Sequence, residues 1–287
     1  MEVDSGFSMS NFLSSSIAVD TVSVSSATRE YGQSKRDLPD PEIIALWRII
    51  GVSDPYAKLY NLSSSASGND QLSEIARALR ADTFCEALFV EGNEIGDEGI
   101  AILVSALEVN RSLKELWLGQ NRIGPTGVKF ICKSLSRNPT LGNLSLANNL
   151  LGDPGASILA TGLSLNASLH TLNLEGNNIG DNGATAIASL IRDNASLVQL
   201  WLGINCIGDK GAVVIANAVK DNKRLLKLGL QDNQIGNQGA AKLSQMLESN
   251  TALCELKLER NAIGKEGSHK LAEVQRTRKV ALKISVF

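Results

Sequence analysis

The stretch LHTLNLEGNNIGDNGATAIASLIRDN, residues 169–194, decides the fold of this chain. Leu172 and Leu174 alternate as residues of a short strand do and point the same way. Asn177 follows in a tight turn. Ile179 is apolar, Gly180 permits a sharp change of backbone direction, and Gly183 opens a helical stretch that ends at Asn194. The helical spacing i, i+3, i+4 is clearest in sister stretches, at Leu103, Ala106 and Leu107 or at Leu243, Met246 and Leu247. Each unit therefore reads as strand, turn, helix, turn.

The same phrase, roughly L-x-x-L-x-L-x-x-N-x-I-G-x-x-G, recurs with a period of 28 residues at Asn93, Asn121, Asn149, Asn177, Asn205, Asn233 and Asn261. A fixed period of this length is the mark of a solenoid. One unit cannot bury its own apolar face, whereas stacked units share a core and form a continuous parallel sheet. Helices are wider than strands, so the stack curves with strands inside and helices outside. The expected fold class is α/β, a horseshoe with the parallel sheet on the concave face.

This phrase resembles the leucine-rich repeat of the ribonuclease-inhibitor-like class, as found in NOD-like receptors and Ran GTPase-activating proteins. The resemblance covers residues 83–278 without gaps. It implies a recognition surface more than a catalytic pocket, with protein contacts on concave and rim residues.

Outside the repeats, residues 1–40 are Ser-rich, lack a period and read as a disordered tail. Residues 41–82 read as a helical N-terminal cap. Asp40 and Pro41 suit a helix start, with Ile43, Ile44, Trp47 and Ile50 on one face. A degenerate first repeat follows: Leu72, Ile75, Ala78 and Leu79 overlay Ile100, Leu103, Ala106 and Leu107, and Tyr60 and Leu62 overlay Leu88 and Val90. Residues 279–287 repeat only the strand half, as a capping strand in which Ala281, Ile284 and Val286 fall on Leu253, Leu256 and Leu258.

The repeating asparagine calls for its own explanation. A turn leaves backbone N–H and C=O groups without ladder partners, and a short amide carries both donors and an acceptor. It is expected to satisfy its own coil and the next one. The helix-ending Asn110, Asn138, Asn166, Asn194, Asn222 and Asn250 are expected to exploit the tolerance of Asn for left-handed backbone. Asp97, Asp153, Asp181 and Asp209 read as stabilisers of a first helical turn.

The 287 residues, 43% hydrophobic and 20% charged, support a sizeable core, and a net charge of -2 with a pI of about 5.8 gives no reason to expect nucleic acid or an anionic membrane as partner. No apolar run approaches a membrane span, and the N-terminus lacks a signal pattern. Cytoplasmic localisation is the expectation. Cys85, Cys132, Cys206 and Cys254 show no metal-binding spacing. Cys85 and Cys254 are read as standing in Leu positions, as small buried hydrophobes. His170 and His269 are too far apart in repeat space to meet, no Ser-His-Asp or phosphate-loop pattern occurs, and neither metal nor cofactor is expected. The chain is expected to be a non-enzymatic monomer.

Function is expected where the repeats disagree, at the strand positions facing the concave side. The central position reads Phe89, Trp117, Ser145, Asn173, Trp201, Gly229 and Lys257. The preceding one reads Ala87, Glu115, Asn143, Thr171, Gln199, Lys227 and Glu255, and the following one Glu91, Gly119, Ala147, Glu175, Gly203, Gln231 and Glu259. Phe89, Trp117 and Trp201 are expected to face solvent as walls of a shallow trough floored by small residues, with Asn173 between them and Glu91, Glu115 and Glu175 available to a basic partner. A protein-interaction scaffold or sensor is the reading that follows. The alternative is a Ran-type GTPase-activating protein, for which Arg122 beside Asn121 would be the candidate. The irregular repeats and acidic tail of that family are missing, and the chain ends in basic residues.

Overall fold

The computed structural model describes residues 44–45, 58–64, 69–278 and 281–286. The expected Ser-rich tail and, apart from the helical Ile44 and Ala45, the expected helix from Pro41 lie outside the described residues. Nine strands form one parallel sheet in chain order. They are β1 (Leu59–Asn61), β2 (Ala87–Phe89), β3 (Glu115–Trp117), β4 (Asn143–Ser145), β5 (Thr171–Asn173), β6 (Gln199–Trp201), β7 (Lys227–Gly229), β8 (Glu255–Lys257) and β9 (Lys283–Ser285). Between them run α1 (Asn69–Ala81), α2 (Asp97–Val104, continued by a 3-10 turn at Ser105–Glu108), α3 (Pro125–Leu135), α4 (Gly152–Leu163), α5 (Asp181–Asp193), α6 (Asp209–Lys220), α7 (Asn237–Ser249) and α8 (Lys265–Thr277). The register advances by one full repeat per strand, pairing Leu88 with Leu116 and Leu116 with Leu144. The chain is thus an α/β leucine-rich repeat solenoid. Each coil contributes one strand at about 4.8 Å spacing and one helix at about 8–10 Å, so the sheet takes the inner side of the curve.

The period maps directly onto the core. Leu116, Leu118, Ile123, Val128, Ile131 and Leu135 of one coil are all buried, as are their equivalents in the coils that follow up to Leu247; in the last coil Ile263 is only partly buried. The early coil β1–α1 joins the same core through Tyr60, Leu72, Ile75 and Leu79, with Tyr60 paired to Leu88. At the other end Ile284 pairs with Leu256 and packs against the core only partly buried.

Three side-chain ladders tie coil to coil. In the first, the turn asparagines reach backwards, not forwards as expected. Asn205 Nδ2 donates to Leu202 O of its own coil at 3.1 Å and to Leu174 O of the preceding coil at 3.0 Å. Its Oδ1 accepts from Asn177 N at 3.0 Å and Ile179 N at 2.9 Å, again in the preceding coil.

The helix-ending asparagines form a second ladder, which corrects the left-handed reading: none has a positive φ, and Asn194 is extended at φ -89°, ψ 131°. Asn194 Nδ2 donates to Leu163 O at 2.8 Å and Asn166 O at 2.9 Å, while its Oδ1 accepts from Ser196 N and Leu197 N.

The third ladder gives the aspartates a second role beside their place in the first turn of their own helices. The glycine at each helix start provides no side-chain cap, so the cap comes from the coil before. Asp209 Oδ1 accepts from Gly236 N at 2.8 Å and Gly239 N at 2.7 Å, at the start of α7. Asp97, Asp153 and Asp181 do likewise for Gly124, Gly180 and Gly208. Pro125 occupies this position one coil before α4. There Gly152 N bonds to Asn177 O instead, and Gly152 takes φ +57°.

Candidate partner-binding surface

The sheet face is built from three rows of side chains, one residue of each row per strand, because alternate residues of a strand point to opposite faces. The buried leucines take the core side, so the positions between them look inward across the curve. Neighbouring side chains of a row sit one strand spacing apart, and on an inward-curved face they crowd together.

That crowding overturns the expectation of exposed aromatic walls at two of three positions. Phe89 and Trp201 are buried, each 3% exposed, and only Trp117 remains half-buried. Phe89 stacks on Trp117 with ring centroids 5.4 Å apart and planes inclined by 12°. The Trp201 ring lies down across the next strand, where Gly229 makes room: a Cβ there would stand 2.5 Å from Trp201 Cε3. Lys257 closes the ring from above, its Nζ 4.7 Å from the ring centre.

The glutamates divide in the same way. Glu115 is half-buried and accepts a hydrogen bond from Trp117 Nε1 at 3.3 Å. Glu175 is buried. Its carboxylate accepts from Gln231 Nε2 at 2.5 Å and from Asn173 Nδ2 at 3.2 Å, and Asn173 Oδ1 accepts from Glu175 N at 2.9 Å. Gln231 reaches it from two coils away across Gly203, whose missing Cβ would lie 2.5 Å from Gln231 Nε2. Burial pushes the Glu175 carboxyl above its ordinary range, against the Asn173 and Gln231 hydrogen bonds and the Lys257 charge. Glu91 is half-buried over Gly119. Burial raises its carboxyl too, opposed by the Gly119 backbone N–H.

The expected site residues therefore fall into two groups. Phe89, Trp117, Glu91 and Glu115 gather on β2 and β3. Asn173, Glu175 and Trp201 belong to a packed network with Gln231 and Lys257. The two tryptophans stand three strands apart, roughly 14 Å at about 4.8 Å per strand. The roles of Gln231 and Lys257 were not singled out from sequence. The available signal was a second period of three coils: E-G-N occurs at 91–93 and 175–177, and L-W-L-G at 116–119 and 200–203.

Elsewhere, His170 and His269 are both exposed, one beside the sheet and one on α8. Among the described residues no group of three or more His, Cys, Asp or Glu could hold a metal ion, and no helix is long and apolar enough to cross a membrane. Cys85 is buried as expected and burial pushes its thiol up; Cys132 is pushed up to about 12 by the same cause. Cys254 is exposed, contrary to expectation. It stands one residue beyond the buried leucine column, which Leu253 fills.

Comparison with known proteins supports leucine-rich repeats. The TMOD/LMOD leucine-rich domain family matches residues 126–235, and a leucine-rich repeat family matches residues 109–132. No curated protein matches the chain. Among solved structures, the leiomodin-1 actin-binding site 2 aligns with a TM-score of 0.44 at 20% identity, over 55% of this chain and 88% of its own. The tropomodulin C-terminal domain of Caenorhabditis elegans aligns with a TM-score of 0.40 at 16% identity, over 47% and 81%.

Proposed function

We propose that this chain is a non-enzymatic recognition module that binds a partner protein through the sheet face of β2–β6. One observation carries the reading: the inward positions of these strands present the half-buried Glu91 and Glu115 and no Lys or Arg, whereas lysines begin at Lys227 on β7. A half-buried indole, Trp117, sits among the acidic groups. Aromatic anchors ringed by polar groups are what binding hot spots use, and an acidic face selects a basic partner surface. The protein is proposed to act as a cytoplasmic monomer of the ribonuclease-inhibitor-like class, without nucleic-acid or membrane partners. Arg122, on which the GTPase-activating alternative depends, is engaged in an exposed ion pair with Glu94 at 2.8 Å, and nothing at the site favours that alternative.

Affinity capture tests the reading. Proteins held by the wild-type chain are expected to be lost with Trp117→Ala and Glu115→Gln and kept with Phe130→Ser on the outer face of α3, where Phe130 is exposed. Capture that survives both sheet-face substitutions but fails with Phe130→Ser would reverse the assignment.

A further inference from the structure

We infer that the rim of turns that follows the strands is self-complementary, and that a second copy of this chain docks on it antiparallel, about a two-fold axis through the β5 coil. The rim uses none of the sheet-face residues of the reading above, so the two stand or fall separately.

The rim is formed by the residue before each ladder asparagine and the residue after it. From the β2 coil to the β8 coil it exposes Glu94, Arg122, Leu150, Asn178, Ile204 and Arg260, with the half-buried Asp232 between the last two. The ends are charged and the middle is not. Glu94 pairs with Arg122 at 2.8 Å at one end, and Asp232 receives both prongs of Arg260 at the other. Between Arg122 and Asp232 both rim rows are uncharged on three consecutive coils: Asn148 and Leu150, Gly176 and Asn178, Ile204 and Cys206. Leu150 is 63% exposed and Ile204 40%.

Coil by coil, the order is negative, positive, apolar, neutral, apolar, negative, positive. Set against its own reverse, this order puts every charge opposite the other sign. An axis through the β5 coil lays the β2 coil on the β8 coil of the second copy, β3 on β7 and β4 on β6. Glu94 then faces Arg260, Arg122 faces Asp232, and Leu150 faces Ile204. Asn178 faces its own equivalent, and its amide can both donate and accept. Gly176, on the axis, has no side chain to hold the backbones apart. Set in the same direction and in register, the two rims would put like charge on like, which selects the antiparallel arrangement.

Ile204 adds an independent observation. Sister coils place Gly92, Gln120, Asn148, Gly176, Asp232 and Arg260 at its position. Ile204 alone is β-branched there, and it holds φ 54°. Left-handed backbone suits Gly and Asn and strains such a side chain, and in the single chain no burial offsets the strain. Contact with Leu150 of the second copy covers both aliphatic groups, and a two-fold contact makes each pairing twice. Exposed ion pairs contribute little singly, and these few residues per copy are fewer than a tight interface uses. The monomer proposed above is therefore the dilute form, and the pair forms as concentration rises.

Sedimentation of the full chain between about 10 μM and about 1 mM tests this. A reversible approach to a dimer and to nothing larger is expected, because a two-fold contact closes on itself. Leu150→Asp and Ile204→Asn should each weaken association at least about tenfold. The first should leave the melting temperature of the chain unchanged and the second should raise it, so lost association is not lost folding. Arg122→Glu should weaken association likewise, and adding Asp232→Arg in the same chain should restore it, since the reversed charges again meet across the axis. No association at about 1 mM, growth past the dimer, wild-type association in Leu150→Asp or Ile204→Asn, or a double reversal as weak as Arg122→Glu alone would each overturn the inference.

Discussion

Asn177 is 0% exposed and its amide bonds to three carbonyls, those of Leu146, Leu174 and Glu175. Removing it strands buried backbone groups, at a cost of roughly 1–3 kcal/mol. Asn194→Ala should cost a similar amount, because the helix-ending asparagines form a ladder of their own, whereas the exposed Asn182 should be neutral. Thermal melting of the three variants checks this; equal midpoints would contradict it. Ile204 offers the opposite case. This β-branched residue holds φ 54° at an exposed rim, and left-handed backbone costs such a side chain roughly 1–2 kcal/mol. Ile204→Asn should therefore raise the melting point. Glu91 carries a pH signature. Its folded carboxyl is raised, so the folded chain holds that proton more tightly than the unfolded chain. The associated stability is present below the ordinary carboxylate value and is lost as pH rises toward the raised one. The stability of Glu91→Gln relative to wild type should thus increase between pH 4 and pH 8 in parallel denaturation curves. At this scale the sequence showed which asparagines matter, since their period is strict. The direction of their bonds was not legible, because a one-coil phrase contains no neighbouring coil.

At the scale of the element, each helix depends on the coil before it for its cap. Asp209→Ala should destabilise α7 more than α6, although Asp209 lies in α6, by about 1 kcal/mol as for a lost N-cap. Hydrogen exchange at Gly236–Ala240 against Asp209–Ala212 checks the assignment; faster exchange confined to α6 would contradict it. The strand and helix positions followed from apolar periodicity alone, and the coils of the fold fall where the 28-residue phrase puts them. The burial of Phe89 and Trp201 did not follow. A strand pattern tells which side a residue faces but not what the next strand lays over it, and here Gly229 and Lys257, one and two coils away, enclose Trp201. Reading the three-coil recurrence of E-G-N and L-W-L-G would have separated a closed network from an open one.

The whole molecule is a quasi-one-dimensional stack in which each coil contacts its neighbours, so the frame is shared and the differences between coils are what a partner can read. Those differences are graded along the sheet: acidic and aromatic on β2–β6, mixed in charge from β7 onward. The central claim is that the half-buried Trp117, set among Glu91 and Glu115, anchors the partner. The measurement that tests it most directly is the dissociation constant of the captured partner for the wild-type chain, Trp117→Ala and Phe130→Ser. A hot-spot anchor is worth at least about 2 kcal/mol, so Trp117→Ala should weaken binding by roughly 30-fold while Phe130→Ser leaves it within about twofold. Unchanged affinity in Trp117→Ala together with a comparable loss in Phe130→Ser would contradict the account.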